Sequence, residues 1–104
     1  MLLSSVLIGA ALTTLQPDPA RAPREAFGRC LHAFVNASVQ ARKTTEAFEA
    51  EHAQQCMTEE RAYREAIIRA EMAARQSRAD AEEYARLEIE DARRNSRGNF
   101  IPPN

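Results

Sequence analysis

The sequence predicts an all-α protein: an antiparallel helical hairpin closed by one disulfide, with a long, charge-rich extended second helix. Three observations predict it. No proline occurs between Arg24 and Arg97, and Gly28 is the only glycine in a run dominated by alanine, glutamate, arginine and glutamine, residues that cost little in a helix. Cys30 and Cys56 are the only cysteines, and Lys43 stands midway between them. Helix propensity is lowest from Val35 to Thr45, where β-branched residues, Asn36 and Ser38 accumulate and compete with the helical backbone. A bend there makes two arms of equal length and brings the sulfurs level.

The first arm, about 24–42, carries Phe27, Cys30, Leu31, Phe34, Ala37, Ser38 and Ala41 at spacings of three and four, which is one apolar stripe of a helix. Pro23 suits the first helical turn, where its missing N–H is not needed. The turn is expected at about 43–45. Thr44 or Thr45 can cap the next helix, with Glu46 and Glu49 complementing the positive end of its dipole. This second helix is expected over about 45–96, with the stripe Phe48, His52, Cys56, Tyr63, Ile67, Ala70 and Ala74. Gly98 and Pro102-Pro103 stop it, and residues 99–104 are expected to form a flexible tail.

The alternative is a straight helix through Lys43-Thr44-Thr45, which contains neither glycine nor proline. It would hold the sulfurs about 39 Å apart at 1.5 Å per residue, and any disulfide would then join two chains. The hairpin is preferred because small exported domains need an internal staple. Closing the loop between the cysteines stabilises the fold by about 3.5 kcal/mol on the chain-entropy argument.

The stretch 1–22 reads as a signal peptide. Leu2 to Leu15 carries no charge, Gln16-Pro17-Asp18-Pro19 breaks the apolar run, and Ala20-Arg21-Ala22 has the small-x-small pattern of a peptidase site. Against this, no Lys or Arg precedes the apolar run, and Pro23 would be the first mature residue. A retained N-terminal apolar anchor is therefore the alternative, and the only route by which the chain would meet a membrane. Export to an oxidising compartment such as a periplasm agrees with pairing of the two cysteines. The hairpin domain is then 23–98.

Beyond residue 64 the chain outruns the first arm, and its direction is open. Ala66, Ile67, Ile68, Ala70, Met72, Ala73 and Ala74 still form an apolar belt, whereas Arg78, Glu82, Arg86, Glu90 and Arg94 alternate in sign every four residues. Such a ladder supports a solvated helix at about 0.2–0.5 kcal/mol per pair. Tyr84, Leu87 and Ile89 are too sparse for a sustained heptad.

Fourteen basic and 15 acidic residues give a net charge of −1 and are interspersed, so no field attracts nucleic acid or anionic lipid. Cys30 and His32 are two residues apart and diverge on a helix, whereas His52 and Cys56 share a face. At most three ligands converge, and oxidation would consume the thiols first, so a structural Cys30–Cys56 disulfide is expected, and neither metal nor cofactor. There is no Cys-x-x-Cys, no third group to orient a Cys56–His52 pair, and no glycine-rich loop for phosphate. Glu59-Glu60 and Glu82-Glu83 diverge as solvated faces, and the sequon Asn36-Ala37-Ser38 falls in a helix. No enzymatic site can be assembled. The expectation is a non-enzymatic interaction or structural element of the cell envelope, with a protein partner or self-association through Tyr63, Ile67, Ala70 and Ala74; the equal alternative for this belt is core, packed under a returning N-terminal segment or the Phe100-Ile101 tail. Small-ligand or metal binding around His52 and Cys56 is the second reading.

Overall fold

The computed structural model describes residues 17–104. These form four helices, α1 (Arg21–Gln40), α2 (Thr45–His52), α3 (Met57–Ala73) and α4 (Arg78–Arg97). The all-helical fold and the Cys30–Cys56 disulfide are as the sequence predicts, with the two Cα atoms 5.9 Å apart. The apolar run Leu2–Leu15, read as the core of a signal peptide, lies outside the described residues.

The single helix expected over 45–96 is instead three helices. The chain leaves α1 and α3 by the same device. After α1, the N–H of Lys43 donates to Ser38 O and that of Arg42 to Val39 O; after α3, Gln76 donates to Glu71 O and Arg75 to Met72 O. This is the paired closure of a Schellman cap. Its left-handed position is filled each time by arginine, Arg42 at φ 56° and Arg75 at φ 69°, where glycine is the usual occupant. Two residues further on, a hydroxyl starts the next helix. Thr44 Oγ1 accepts from Ala47 N at 3.2 Å, and Ser77 Oγ accepts from Asp80 N at 3.1 Å. Between α2 and α3 the chain turns through Ala53–Cys56, with Cys56 itself left-handed at φ 61°.

The second arm, α2 followed by α3, runs antiparallel to α1, and α4 then folds back along α3. Phe27 and Leu31 of α1, Tyr63, Ala66 and Ile67 of α3, and Ala85 and Ile89 of α4 share one core with Ala20. On α4 the buried stripe is Ala81, Ala85, Ile89, Arg93 and Ser96. The sign-alternating ladder faces outward. Arg78–Glu82 and Arg86–Glu90 pair at 2.9 and 2.7 Å, whereas Arg94 turns to Asp91 at 3.7 Å. These exposed pairs add little stability. The small alanine side chains let α4 approach α3 closely, so the charge-rich stretch is a packed helix and not a free rod.

A second, aromatic cluster closes the other end. Phe34 and Phe48 stack at 5.8 Å between centroids, and Phe100 stacks on Phe48 at 4.0 Å. The tail expected to be flexible is thus pinned at Phe100, because that ring covers the face of α2 left open by α1.

The boundary expected at residue 22/23 falls inside the fold. Asp18 Oδ1 accepts from Ala20 N at 2.9 Å, its carbonyl accepts from Arg21 N at 3.1 Å, and its Oδ2 pairs with Arg24 at 2.9 Å. The Ala20 hydrogen bond, with Arg24 second, holds the Asp18 carboxyl below its usual range. Ala20 is 6% exposed and belongs to the core. A chain beginning at Pro23 would lose this cap and leave a gap against Ala66. Residues 17–104 should therefore be more stable than residues 23–104, by about 1 kcal/mol from Ala20 burial alone, with a lower urea midpoint for the shorter chain. Equal midpoints would place the domain start at Pro23.

Candidate functional site

The polar interior of the molecule is built around Arg93. It continues the Ala81–Ala85–Ile89 stripe of α4, so its register sends it inward, and it is only 9% exposed. Its Nε donates to Glu60 Oε1 at 2.7 Å, Nη1 to His52 O at 2.9 Å, and Nη2 to Gln55 O at 2.8 Å. The guanidinium also lies 5.2 Å from the centre of the Phe27 ring. A helix end leaves carbonyls without intrahelical partners. Here the fork of one arginine donates to His52 O at the end of α2, which also accepts from Gln55 N at 3.2 Å, and to Gln55 O in the turn beyond it, while Glu60 balances its charge and also accepts from Arg64 at 3.4 Å.

His52 lies beside this network at the end of α2 and is fully buried. Its ring packs at 5.3 Å from Phe48 and 6.2 Å from Phe34, and Nε2 meets Ser96 Oγ at 2.9 Å. Nδ1 has no partner. Burial, and after it the charges of Arg93 and Arg97, depress the imidazole pKa below 6.5, so the ring is neutral at pH 7. An unpaired buried N–H is costlier than an unpaired lone pair, so the proton belongs on Nε2, pointing at Ser96. The serine oxygen then faces a donor and not a base. No carboxylate reaches Nδ1, which removes the orienting partner a hydroxyl nucleophile needs.

The sequence placed His52 and Cys56 on one face as possible metal ligands. The structure separates them: Cys56 is bonded to Cys30, and His52 turns to Ser96. His32 is exposed and faces Asn36 at 3.1 Å. The interaction belt divides as well. Tyr63 and Ile67 are 3% and 4% exposed and form part of the core, whereas Ala70 is half-buried and Ala74 exposed. The open face expected at Tyr63 and Ile67 is therefore a correction: the returning α4 and the Asp18–Ala20 segment cover it. Burial, ahead of the nearby Glu88, raises the Tyr63 hydroxyl pKa above its ordinary value.

Three of the shallow clefts among the described residues lie against the core. One, about 240 Å³, lies between α1 and α4 and is lined by Gly28, Leu31, His32, Val35, Ser96 and Asn99 among others. A second, about 120 Å³, gathers Asp18, Arg24, Tyr63, Glu71, Tyr84 and Glu88. The third is an apolar groove of about 230 Å³ along α3, formed by Pro19, Ala66, Arg69, Ala70 and Ala73. None carries a set of converging catalytic groups. No family model, curated protein or solved structure matches the chain. Its function is therefore a question of this geometry alone.

Nothing in the residue pattern singles out Arg93 as a central residue, although its register is visible. It falls four residues after Ile89 in the buried stripe, and a charged residue at such a position needs a partner for its charge. Replacing Arg93 by alanine leaves Glu60 with only the longer Arg64 contact, removes the arginine donor from Gln55 O and leaves His52 O with Gln55 N alone, and is expected to cost about 3–5 kcal/mol, measured by urea unfolding. Lysine should not restore this, since one ammonium cannot reproduce the three-way fork.

The depressed pKa of His52 sets a second expectation. The unfolded chain binds the proton more readily than the folded one, so the stabilisation is fully present above pH 6.5 and is lost as pH falls below it. The melting temperature should therefore decline on acidification through that window, before the carboxylates titrate. His52→Gln, which keeps a donor toward Ser96, should flatten the slope; an unchanged slope would assign the loss to other groups.

Proposed function

We propose that this chain is a non-enzymatic helical element of the cell envelope, held by its N-terminal apolar stretch and acting through protein contacts at the α3–α4 tip. One observation carries the reading. The Ala20 end of α1 shares the core with Ala66 and Ile67 and borders a cleft that reaches Ala70 and Glu71, so the last turn of α3 and the start of α4 extend beyond it. There Met72 is 44% exposed, Ala73 and Ala74 are exposed, and Pro19 lies with Ala66, Ala70 and Ala73 along one groove. The segment that leads back to Leu2–Leu15 joins the fold at this same end. Uncovered apolar side chains beside a tether favour association with a neighbour held at the same surface.

The disulfide supports an oxidising compartment, and integration of Asp18 and Ala20 into the fold favours retention of the N-terminal stretch over cleavage after Ala22. Among the described residues no helix is long and apolar enough to cross a membrane, which leaves that stretch as the attachment. The surrounding charges are mixed, with Arg69, Arg75 and Arg78 near Glu65, Glu71 and Asp80, a pattern that suits a protein partner better than an anionic lipid surface.

The test is a photo-crosslinker at position 73 in cells, where Ala73 is exposed beside Met72, with light scattering on residues 17–104. A specific adduct, from a partner or a second copy, that disappears in Met72→Glu supports the proposal. Met72 is exposed, so this variant is expected to keep its fold, unlike a charge at Ile67. A monomer of unchanged mass together with no adduct rejects it.

A further inference from the structure

We propose that, when the disulfide is opened by a dithiol reductant, Cys30, Cys56 and Glu59 form a three-ligand site for a thiophilic divalent cation of the zinc type. Their ligand atoms, two sulfurs and one carboxylate oxygen, all lie within 4.8 Å of one another. Each of the three residues is half-buried, so the site is sheltered but reachable. The proposal shares only Cys56 with the His52–Cys56 pair, does not use His52, and is independent of the envelope reading.

Four further features fit. Zinc–sulfur bonds of about 2.3 Å at tetrahedral angles put two thiolates about 3.8 Å apart. With the Cα atoms at 5.9 Å, rotation of the side chains provides that separation without moving the helices. Glu59 enters no ion pair or side-chain hydrogen bond among the described residues, whereas its neighbour Glu60 is held by Arg64 and Arg93. The free carboxylate is thus the one beside the sulfurs. Cys56 is the residue before α3 and Glu59 lies in its first turn, so the positive end of the helix dipole favours both the thiolate and the carboxylate. Three anionic ligands around a dication leave one negative charge facing that same helix end, with a water in the fourth position, the open arrangement of a three-ligand site.

The chemistry balances in two steps. The dithiol gives two electrons and two protons to the Cys30–Cys56 bond and leaves as its own disulfide, and two protein thiols form. The cation then displaces both thiol protons to solvent as two sulfur–metal bonds form, and Glu59 supplies the third bond without releasing a proton. Bond and metal exclude each other: a small-molecule disulfide that accepts two electrons from the two thiolates, and leaves as its dithiol, re-forms the Cys30–Cys56 bond and expels the cation, and the dithiol readmits it.

The experiment uses the full chain, reduced anaerobically with a phosphine that does not compete for metal. Zinc is titrated against a chromophoric chelator, and cobalt is used to read thiolate charge transfer. One zinc per reduced chain, none per oxidised chain, and a cobalt–thiolate band are expected. Glu59→Gln, which removes a ligand but no folding contact, should weaken binding at least as much as the about 10- to 100-fold loss seen for supporting partners of a metal site, and Cys30→Ser should weaken it further. Circular dichroism runs alongside. If the reduced chain loses helix, its return on adding zinc supports the site, and failure to return without binding overturns it. Equal zinc uptake by reduced and oxidised chains, or undiminished affinity in Glu59→Gln, also overturns it.

Discussion

The turn from Ala53 to Cys56 must interrupt helical hydrogen bonding without glycine or proline, and it is clasped from two sides. The disulfide ties Cys56 to α1. From α4 the Arg93 fork takes the carbonyls of His52 and Gln55. Neither restraint is local in sequence. Together they fix where α2 ends and α3 begins, and hence how Phe48 and His52 are presented to Phe34 while Tyr63 and Ile67 are presented to Phe27. Without them, the strong helix propensity of the segment would favour carrying on straight.

This arrangement explains why a chain with so little bulky apolar material forms one body. The α1–α3–α4 core has Phe27, Leu31, Tyr63, Ile67 and Ile89 as its large members, with alanine elsewhere. Small cores are marginal, and covalent closure plus a charge-balanced fork make up for limited apolar burial. The aromatic cluster of Phe34, Phe48 and Phe100 extends packing past the end of the three-helix core, so that α2 and the tail become part of the same body. The opposite end, where α3 and α4 run past α1, stays uncovered.

The stored oxidation state gives the same clasp a second character. A disulfide next to an unpaired carboxylate at a helix start is a closed site, and its opening changes both the stability of the turn and what the turn can bind. The interior around His52 has no comparable chemistry, since its proton points at Ser96 and its other nitrogen faces no polar group.

Much of the architecture was legible in the residues themselves. The equal spacing of Cys30 and Cys56 from Lys43, the stripe through Phe27, Leu31 and Phe34, and the threonines before Glu46 sufficed for the hairpin, its disulfide and a threonine cap at Thr44 or Thr45, of which the structure uses Thr44, because these follow from local propensity and helical period. Ser77 with Asp80 three residues later carried the same kind of signal for the start of α4, but the strong formers around it masked the break. Other features lay beyond local reading, because each depends on which surfaces meet. Arginine occupies left-handed positions at Arg42 and Arg75 where only the closure of the chain sets the conformation. The inward turn of Arg93, the burial of Tyr63 and Ile67 beneath α4, and the docking of Ala20 and Phe100 follow from α4 folding back over α3. Periodicity can say that a face is apolar. It takes the partner helix, arriving from a distant part of the chain, to say that the face is already covered.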